Sequence, residues 1–356
     1  MKSIVLTDHF NGGGAERVAS LLINGLVDIP DNNVHVCVFE EGSNYVINKD
    51  KVVYHVLTPK KHSYYVQVFM RIMRFTKLIR RIKPDVIFSF GPIMASYVYI
   101  AVKLSGVKGI KIIDSERNDP RKEPVSDIKK KIRDYCYNHA DVLVCQTSMA
   151  VELLKERGVK TTFVLIPNPI TPNLPIWEGL NSNEIITAAR LTTQKNLPLL
   201  IEAFYDVSKK HPKYKLVIYG EGEQRGYLEA LVKKKGLDKS ISLPGFSADI
   251  HNAMAKAYMY VSSSDYEGIS NSMLEALGIG LPCICTDCPV GGARMCIKNY
   301  DSGLLVEVGD KNQLVEAMNY LIENKDAAMS YSHESRKIND MYSLDKVTEK
   351  WMELVK

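Results

Sequence analysis

Residues 262–282 read SSSDYEGISNSMLEALGIGLP, with two glutamates, Glu267 and Glu275, eight positions apart. The preceding run, YMYVSS, has the aromatic and β-branched character of a strand, whereas the residues from Ser270 onward read as a helix. Glu267 is therefore expected in a strand-to-helix loop and Glu275 about two turns into the helix. In a doubly wound sheet such a loop opens onto the crevice beyond the carboxyl ends of the strands, where ligands bind. A structural reading stands beside this one. Ser272 and Glu275 have the S-x-x-E spacing of a capping box, and Glu267 on its own reads equally well as a solvated loop acid.

The same alternation of strand and helix extends in both directions. SIVLT, VHVCVF, DVIFSF, IKIID, DVLVCQ and TTFVLI precede the proline-rich stretch IPNPITPNLPIWEGLNSN, and EIITAA, YKLVIYG, SISLPG, YMYVSS and LPCICT follow it. Strands separated by amphipathic helices predict an α/β protein with parallel sheets. The expected division is a domain over residues 1–167, a linker over 168–182, a second domain over 183–340, and a helix over 341–356 that could pack back on the first domain.

The chain has 356 residues, 46% of them hydrophobic and 24% charged, enough for two domains with a core each. No apolar run approaches the ~20 residues that span a bilayer, and MKSIVLTD places an acid where a secretion signal would continue its apolar core. Seven cysteines, an odd number in a chain of this length, argue against a disulfide framework, and the cluster Cys283, Cys285, Cys288 and Cys296 begins in a strand-like run, PCIC, that does not suit a metal site, so a reducing, cytoplasmic setting is expected. Charge is uneven. Residues 1–170 hold 25 Lys and Arg against 17 Asp and Glu, and the remainder 21 against 24. The basic half suggests an anionic partner.

Two further loops carry chemistry. In DHFNGGGAER (8–17), Gly12, Gly13 and Gly14 allow close backbone approach ahead of a helix N-terminus suited to a phosphate or a sugar hydroxyl. A dinucleotide fingerprint competes for this loop. Glu40 and Glu41 lie where its ribose-binding acid would, but Arg17 stands where its third glycine belongs. In ARLTTQKN (189–196), Arg190 and Lys195 flank a turn before a helix, as diphosphate ligands or as solvated charges.

With NGGGAER, SERNDP, IPNPI, ARLTTQKN, YGEGEQRGYLEAL, LPGF, the E-x7-E pair, TDCPVGG and GLLVEVGD in this order, the chain resembles the family 4 retaining glycosyltransferases of GT-B fold. That resemblance implies two facing Rossmann-like domains and transfer of a hexose or N-acetylhexosamine from a nucleotide sugar, most simply a UDP-sugar. An α-linkage would form to a glycan acceptor such as a polyprenyl-diphosphate-linked one. It implies roles for single residues as well. Arg190 and Lys195 would hold the diphosphate, Glu267 with the amides of Gly268, Ile269 and Ser270 the hexose, Glu275 the ribose, and Gly245, Phe246 and Ser247 the base. Gly13 and Gly14 would close over the donor. Glu116, Arg117 and Asn118 stand near the hexose where relatives often carry histidine, and arginine is a poor base because it stays protonated. No D-x-D occurs, so no metal or other cofactor is expected. A nucleotide-sugar 2-epimerase and a non-catalytic binding subunit are the alternatives, and no nucleic-acid partner is expected.

Residues 51–84 contain no acid. On a helical wheel Val68, Phe69, Ile72, Phe75, Ile79 and Ile82 share one face, Arg71, Arg74, Lys77 and Arg81 lie opposite, and Met70 and Leu78 adjoin the basic arc. That arc suits an anionic membrane surface or the pyrophosphate of a lipid-linked acceptor, with the protein peripheral at the inner face of the membrane.

Overall fold

The computed structural model describes residues 1–10, 14–42, 47–58 and 63–355. The chain forms two compact units, residues 1–169 together with 344–356, and residues 170–343.

The first unit is built on a seven-stranded parallel sheet of β1 (Lys2–Thr7), β2 (Asn33–Val38), β3 (Val53–Val56), β4 (Val86–Phe90), β5 (Lys111–Glu116), β6 (Val142–Cys145) and β7 (Thr162–Leu165). Their order is β3-β2-β1-β4-β5-β6-β7. The central strands are buried on both faces, which is why they read as unbroken apolar runs. Alternate residues of β1 serve opposite cores. Val5 packs with Phe88 and Trp351 on one side, and Ile4 and Leu6 with Phe75 and Val98 on the other. Helices α1 (Gly14–Val27), α2 (Tyr64–Ile82), α3 (Pro92–Ser105), α4 (Asp127–Tyr137) and α5 (Ser148–Glu156) cover the sheet. The C-terminal helix, Leu344–Glu353, packs on α1, with Trp351 5.6 Å from the Phe90 ring.

Helix α2 departs from its wheel. Its C-terminal half buries Phe75, Leu78, Ile79 and Ile82, but Phe69, expected on the buried face, is 63% exposed. Leu78, expected beside the basic arc, is in the core. The burial is graded along the helix: Val68 and Ile72 in its first half are only partly buried against the apolar core, whereas its last turns are sunk into it. Arg71 also leaves the expected outer arc. Its side chain is only 12% exposed, stacks 4.4 Å from the Phe39 ring centre, and donates to Thr58 Oγ1 at 2.7 Å and Glu40 at 3.3 Å.

The second unit carries a six-stranded parallel sheet of β8 (Glu184–Ala188), β9 (Lys215–Tyr219), β10 (Ile241–Gly245), β11 (Met259–Ser262), β12 (Cys283–Thr286) and β13 (Leu304–Val306). Their order is β10-β9-β8-β11-β12-β13. Helices α6 (Leu197–Lys210), α7 (Arg225–Lys234), α8 (Ile250–Lys256) and α9 (Asn271–Ile279) connect the strands, and further helices follow between residues 292 and 341.

The stretch expected as a linker is instead largely part of this unit. Ile170 and Trp177 are buried in its core, Ile170 N–H donates to the Tyr342 carbonyl, and the Trp177 indole donates to the Ala257 carbonyl at 2.8 Å. Its prolines rule out regular structure, but two large apolar side chains bind it down as a strap.

Candidate functional site

From β8 the chain runs outward through β9 and β10, then returns to place β11 on the other side of β8. The reversal opens a crevice at the carboxyl ends of β8 and β11. The loop after β8 brings Lys195 and the loop after β11 brings Glu267, so residues far apart in sequence meet by topology.

The two loops are locked together. Asp265 N–H donates to the Gln194 carbonyl at 2.9 Å, and Asn196 Nδ2 to Asp265 Oδ1 at 2.7 Å. Ser263 Oγ donates to the carbonyls of Lys195 and Asn196, both at 3.0 Å. Lys195 Nζ donates to Glu267 Oε1 in an ion pair whose side chains are 14% and 16% exposed. Ser264 Oγ donates to the same oxygen at 2.9 Å, and Gln194 Nε2 to Glu267 Oε2 at 3.3 Å. Glu267 is thus a carboxylate oriented from three sides, and not a solvated loop acid.

Arg190 stands two residues beyond β8, exposed; its carbonyl accepts from Thr192 N–H at 2.9 Å, while its guanidinium makes no hydrogen bond or ion pair among the described residues. Its loop is shaped from below by the YGEGEQ turn. Gly220 has φ 126°, and a Cβ there would lie 1.9 Å from the Ala189 carbonyl oxygen; at Gly222 it would lie 2.4 Å from that of Leu191. Only glycine admits this approach. One free cation and one paired cation therefore share a strand end beside a fixed carboxylate, an arrangement suited to a phosphorylated, hydroxyl-bearing ligand.

Glu275 lies just over one turn into α9, nearer its start than the expected two turns, and is 5% exposed. Thr171 Oγ1 donates to its Oε1 at 2.9 Å, and His251 Nε2 lies 3.1 Å from its Oε2. The capping-box reading fails here. The N-cap is Ser270, whose hydroxyl accepts from Met273 N–H, while Ser272 Oγ pairs with the Tyr260 hydroxyl at 2.9 Å. The helix starts one residue before Ser272, so Ser272 lies inside it and cannot cap it.

Gly268 and Ile269 are buried at the same loop and Ser270 is half-buried; Gly245 is buried at the end of β10, with Phe246 exposed and Ser247 Oγ accepting from Asp249 N–H. Sequence reading passed over His251, Thr171, Gln194 and Ser264, which hold the two glutamates. Gln194 and Ser264 could have been suspected from their places beside Lys195 and Glu267, but nothing in the spacing ties Thr171 or His251 to Glu275. All seven cysteines are free and buried.

In the first unit Gly13 lies outside the described residues, and Gly14 opens α1. Glu116 is buried at the end of β5, where its Oε1 accepts from the N–H groups of Arg117 and Asn118 and its Oε2 from the Tyr137 hydroxyl at 3.2 Å. Burial pushes its carboxyl up to about 7, against the pull of Arg133. Asn118 Oδ1 accepts from Asp119 N–H. The guanidinium nitrogens of Arg117 are buried and make no hydrogen bond among the described residues, and its Cζ lies 5.5 Å from the Phe90 ring centre and 5.9 Å from that of Trp351. Burial draws Arg117 down to about 9, so it remains a cation at neutral pH. Glu116 thus fixes the backbone just beyond the strand end through the N–H groups of Arg117 and Asn118.

Comparison with known proteins agrees with this arrangement. Residues 12–174 match the Glycosyltransferase Family 4 and residues 178–338 the Glycosyl transferases group 1. The amylovoran biosynthesis glycosyltransferase AmsD of Erwinia amylovora is 25% identical over 99% of both chains. An N-acetylgalactosamine-N,N'-diacetylbacillosaminyl-diphospho-undecaprenol 4-alpha-N-acetylgalactosaminyltransferase of Campylobacter jejuni is 32% identical over 44% of this chain and 42% of its own. The crystal structure of Anabaena Alr3699/HepE in complex with UDP-glucose superposes with a TM-score of 0.88 at 18% identity, covering 99% of this chain and 98% of that one. Two parallel-sheet units, each matched over nearly its whole length, with the E-x7-E pair at the switch point of the second, identify the chain as a member of the family 4 glycosyltransferases of GT-B fold.

Proposed function

We propose that the protein is a retaining glycosyltransferase that moves a hexose or N-acetylhexosamine from a UDP-sugar to a lipid-linked glycan, forming an α-linkage and needing no divalent metal. The observation that carries this reading is the Lys195–Glu267 pair at the β8/β11 switch point with Arg190 free beside it. On this reading the donor diphosphate takes Lys195 from Glu267 and recruits Arg190, and the two cations balance the charge that develops as the sugar–phosphate bond breaks. Glu267, still held by Ser264 and Gln194, then accepts hydrogen bonds from sugar hydroxyls. Glu275 accepts from the ribose with its carboxylate oriented by Thr171 and His251. The leaving phosphate oxygen takes the acceptor proton on the same face, which retains the configuration.

The UDP-glucose complex of HepE supports the donor class, and the Campylobacter relative, named for α-transfer to a diphospho-undecaprenol-linked sugar, supports the bond and the acceptor. The test is a panel of UDP- and GDP-sugars offered with short-chain polyprenyl-diphosphate glycans in excess EDTA. Product should form from a UDP-sugar, and its anomeric proton coupling should report an α-bond. A β-linked product, or strict dependence on added Mn2+, would overturn the reading.

A further inference from the structure

Helix α3 lacks a polar face. Lys103 is the only charged residue in PIMASYVYIAVKLS, and its exposed, outward positions include the large apolar Ile93, Ile100 and Leu104. A helix that is apolar all round belongs in a core or against lipid. Helices α2 and α4 flank it and raise the walls of a groove of about 300 Å3, lined by Tyr64, Val68 and Ile72 on one side and Lys129 and Ile132 on the other. The rims extend the apolar surface. Tyr65 is 84% exposed, Val125 83% and Ile128 72%, and Phe69 belongs to the same surface. Patches of this extent on soluble proteins mark interaction sites.

Charge decides the partner. α2 carries five cations and no acid. α4 carries Lys129, Lys130, Lys131 and Arg133 against two acids, and both acids are taken: Asp127 by Lys130, Asp134 by Arg133 and Arg157. Lys129 lines the apolar groove, and Arg74, Lys77 and Lys131 are exposed on the same two helices, none of them paired with an acid among the described residues. Two copies of so basic a face would repel each other. Exposed tyrosines at the rim, Tyr64, Tyr65 and Tyr135, are suited to a water–lipid boundary.

We infer that the α2–α3–α4 face of the first unit seats on an anionic lipid surface, with Tyr65, Phe69, Ile93 and Ile128 entering the headgroup region and Lys77, Lys129 and Lys131 binding lipid phosphates. This surface differs from the arc expected on α2 alone, because Arg71 is turned inward and α3 and α4 supply most of the apolar area. It deepens the proposed transfer to a lipid-linked acceptor and rests on that reading for its purpose.

The experiment is co-sedimentation of the full chain with vesicles of phosphatidylcholine containing 30% phosphatidylglycerol, a composition of about 30 mol% charge chosen to approximate an anionic leaflet. Phe69→Ser/Ile93→Ser/Ile128→Ser and Lys77→Gln/Lys129→Gln/Lys131→Gln are compared with the parent. All six positions are exposed, and circular dichroism with UDP-induced thermal stabilisation checks that each variant is folded and keeps its donor site. The parent should bind these vesicles and lose binding as salt rises or phosphatidylglycerol is omitted. Each triple variant should bind at least about tenfold more weakly, since a cation near such a surface is worth about 1 kcal/mol. Parent binding that both variants retain in full would overturn the inference. So would a parent that ignores anionic vesicles, including one that self-associates through this face, which light scattering would reveal. Loss of UDP stabilisation in the parent strikes at the proposed function and leaves vesicle binding to be judged separately.

Discussion

Lys195 and Glu267, 72 residues apart in sequence, form an ion pair at the point where the second sheet reverses its winding. On the proposed function the carboxylate holds the ammonium where a diphosphate would, and donor binding exchanges one anion for another on Lys195. Glu267→Gln removes the competing charge but keeps an acceptor for Ser264. This variant is expected to bind UDP at least as tightly as the parent, up to about tenfold tighter, while sugar transfer falls steeply. Calorimetry with UDP and a transfer assay on the same preparation separate the two effects. Weaker UDP binding by Glu267→Gln would show that the pair does not compete with the donor.

Glu275 is buried and accepts from Thr171. Glu275→Ala leaves the Thr171 hydroxyl without this partner and opens a small void in α9, so the variant should lose about 1–3 kcal/mol of stability as well as donor affinity. Ser270→Ala separates the two losses. It removes the true N-cap at a cost of about 1 kcal/mol and should leave the affinity for UDP within about twofold, a factor worth about 0.4 kcal/mol. Denaturant unfolding and UDP titration of both variants are the measurements.

Asp114, buried on β5 with the Ser89 hydroxyl on its Oδ1, is pushed from 3.8 up to about 7 by burial. Its native pKa lies above its unfolded one, so between about pH 4 and 7 the native state binds the proton more tightly and stability falls as pH rises. Asp114→Asn cannot ionise. The variant should flatten this decline and gain stability relative to the parent at pH 7.5, with little difference at pH 4. Melting temperatures across this range test it, and parallel curves for the two proteins would contradict it.

Gly220 lets the loop after β9 touch the loop that carries Arg190. Gly220→Ala meets both a φ of 126° and the Ala189 carbonyl. The backbone conformation alone should cost about 1–3 kcal/mol, and displacement of the Arg190 loop should weaken UDP binding too. Gly226→Ala is a control, since a Cβ at that position has nothing within 4 Å. Thermal melts and UDP titration of the pair should show loss only at Gly220.

Much of this was legible in the sequence, because parallel strands buried on both faces read as apolar runs and their alternation with amphipathic helices marks parallel α/β units. Glu267 and Lys195 could be placed at strand ends for the same reason. Their pairing could not, since it depends on β11 lying beside β8, which periodicity does not report. The capping box misled because Ser270 and Ser272 both offer a hydroxyl, and only the true helix start chooses between them. The proline-rich stretch read as a linker because Ile170 and Trp177 have no partner within it; their partners lie far along the chain. The wheel of α2 failed at Phe69 and Leu78 because it assumes one environment along the whole helix.

The central claim is that Arg190 and Lys195 form a metal-free diphosphate site at the β8/β11 switch point. Isothermal titration of UDP into the parent, Arg190→Ala and Lys195→Ala in excess EDTA tests it most directly. Binding by the parent under these conditions is predicted, with each variant weaker by about 1.5–3 kcal/mol, the worth of a charge-assisted hydrogen bond. UDP affinity that appears only with added Mg2+ or Mn2+, or that survives both substitutions unchanged, would contradict it.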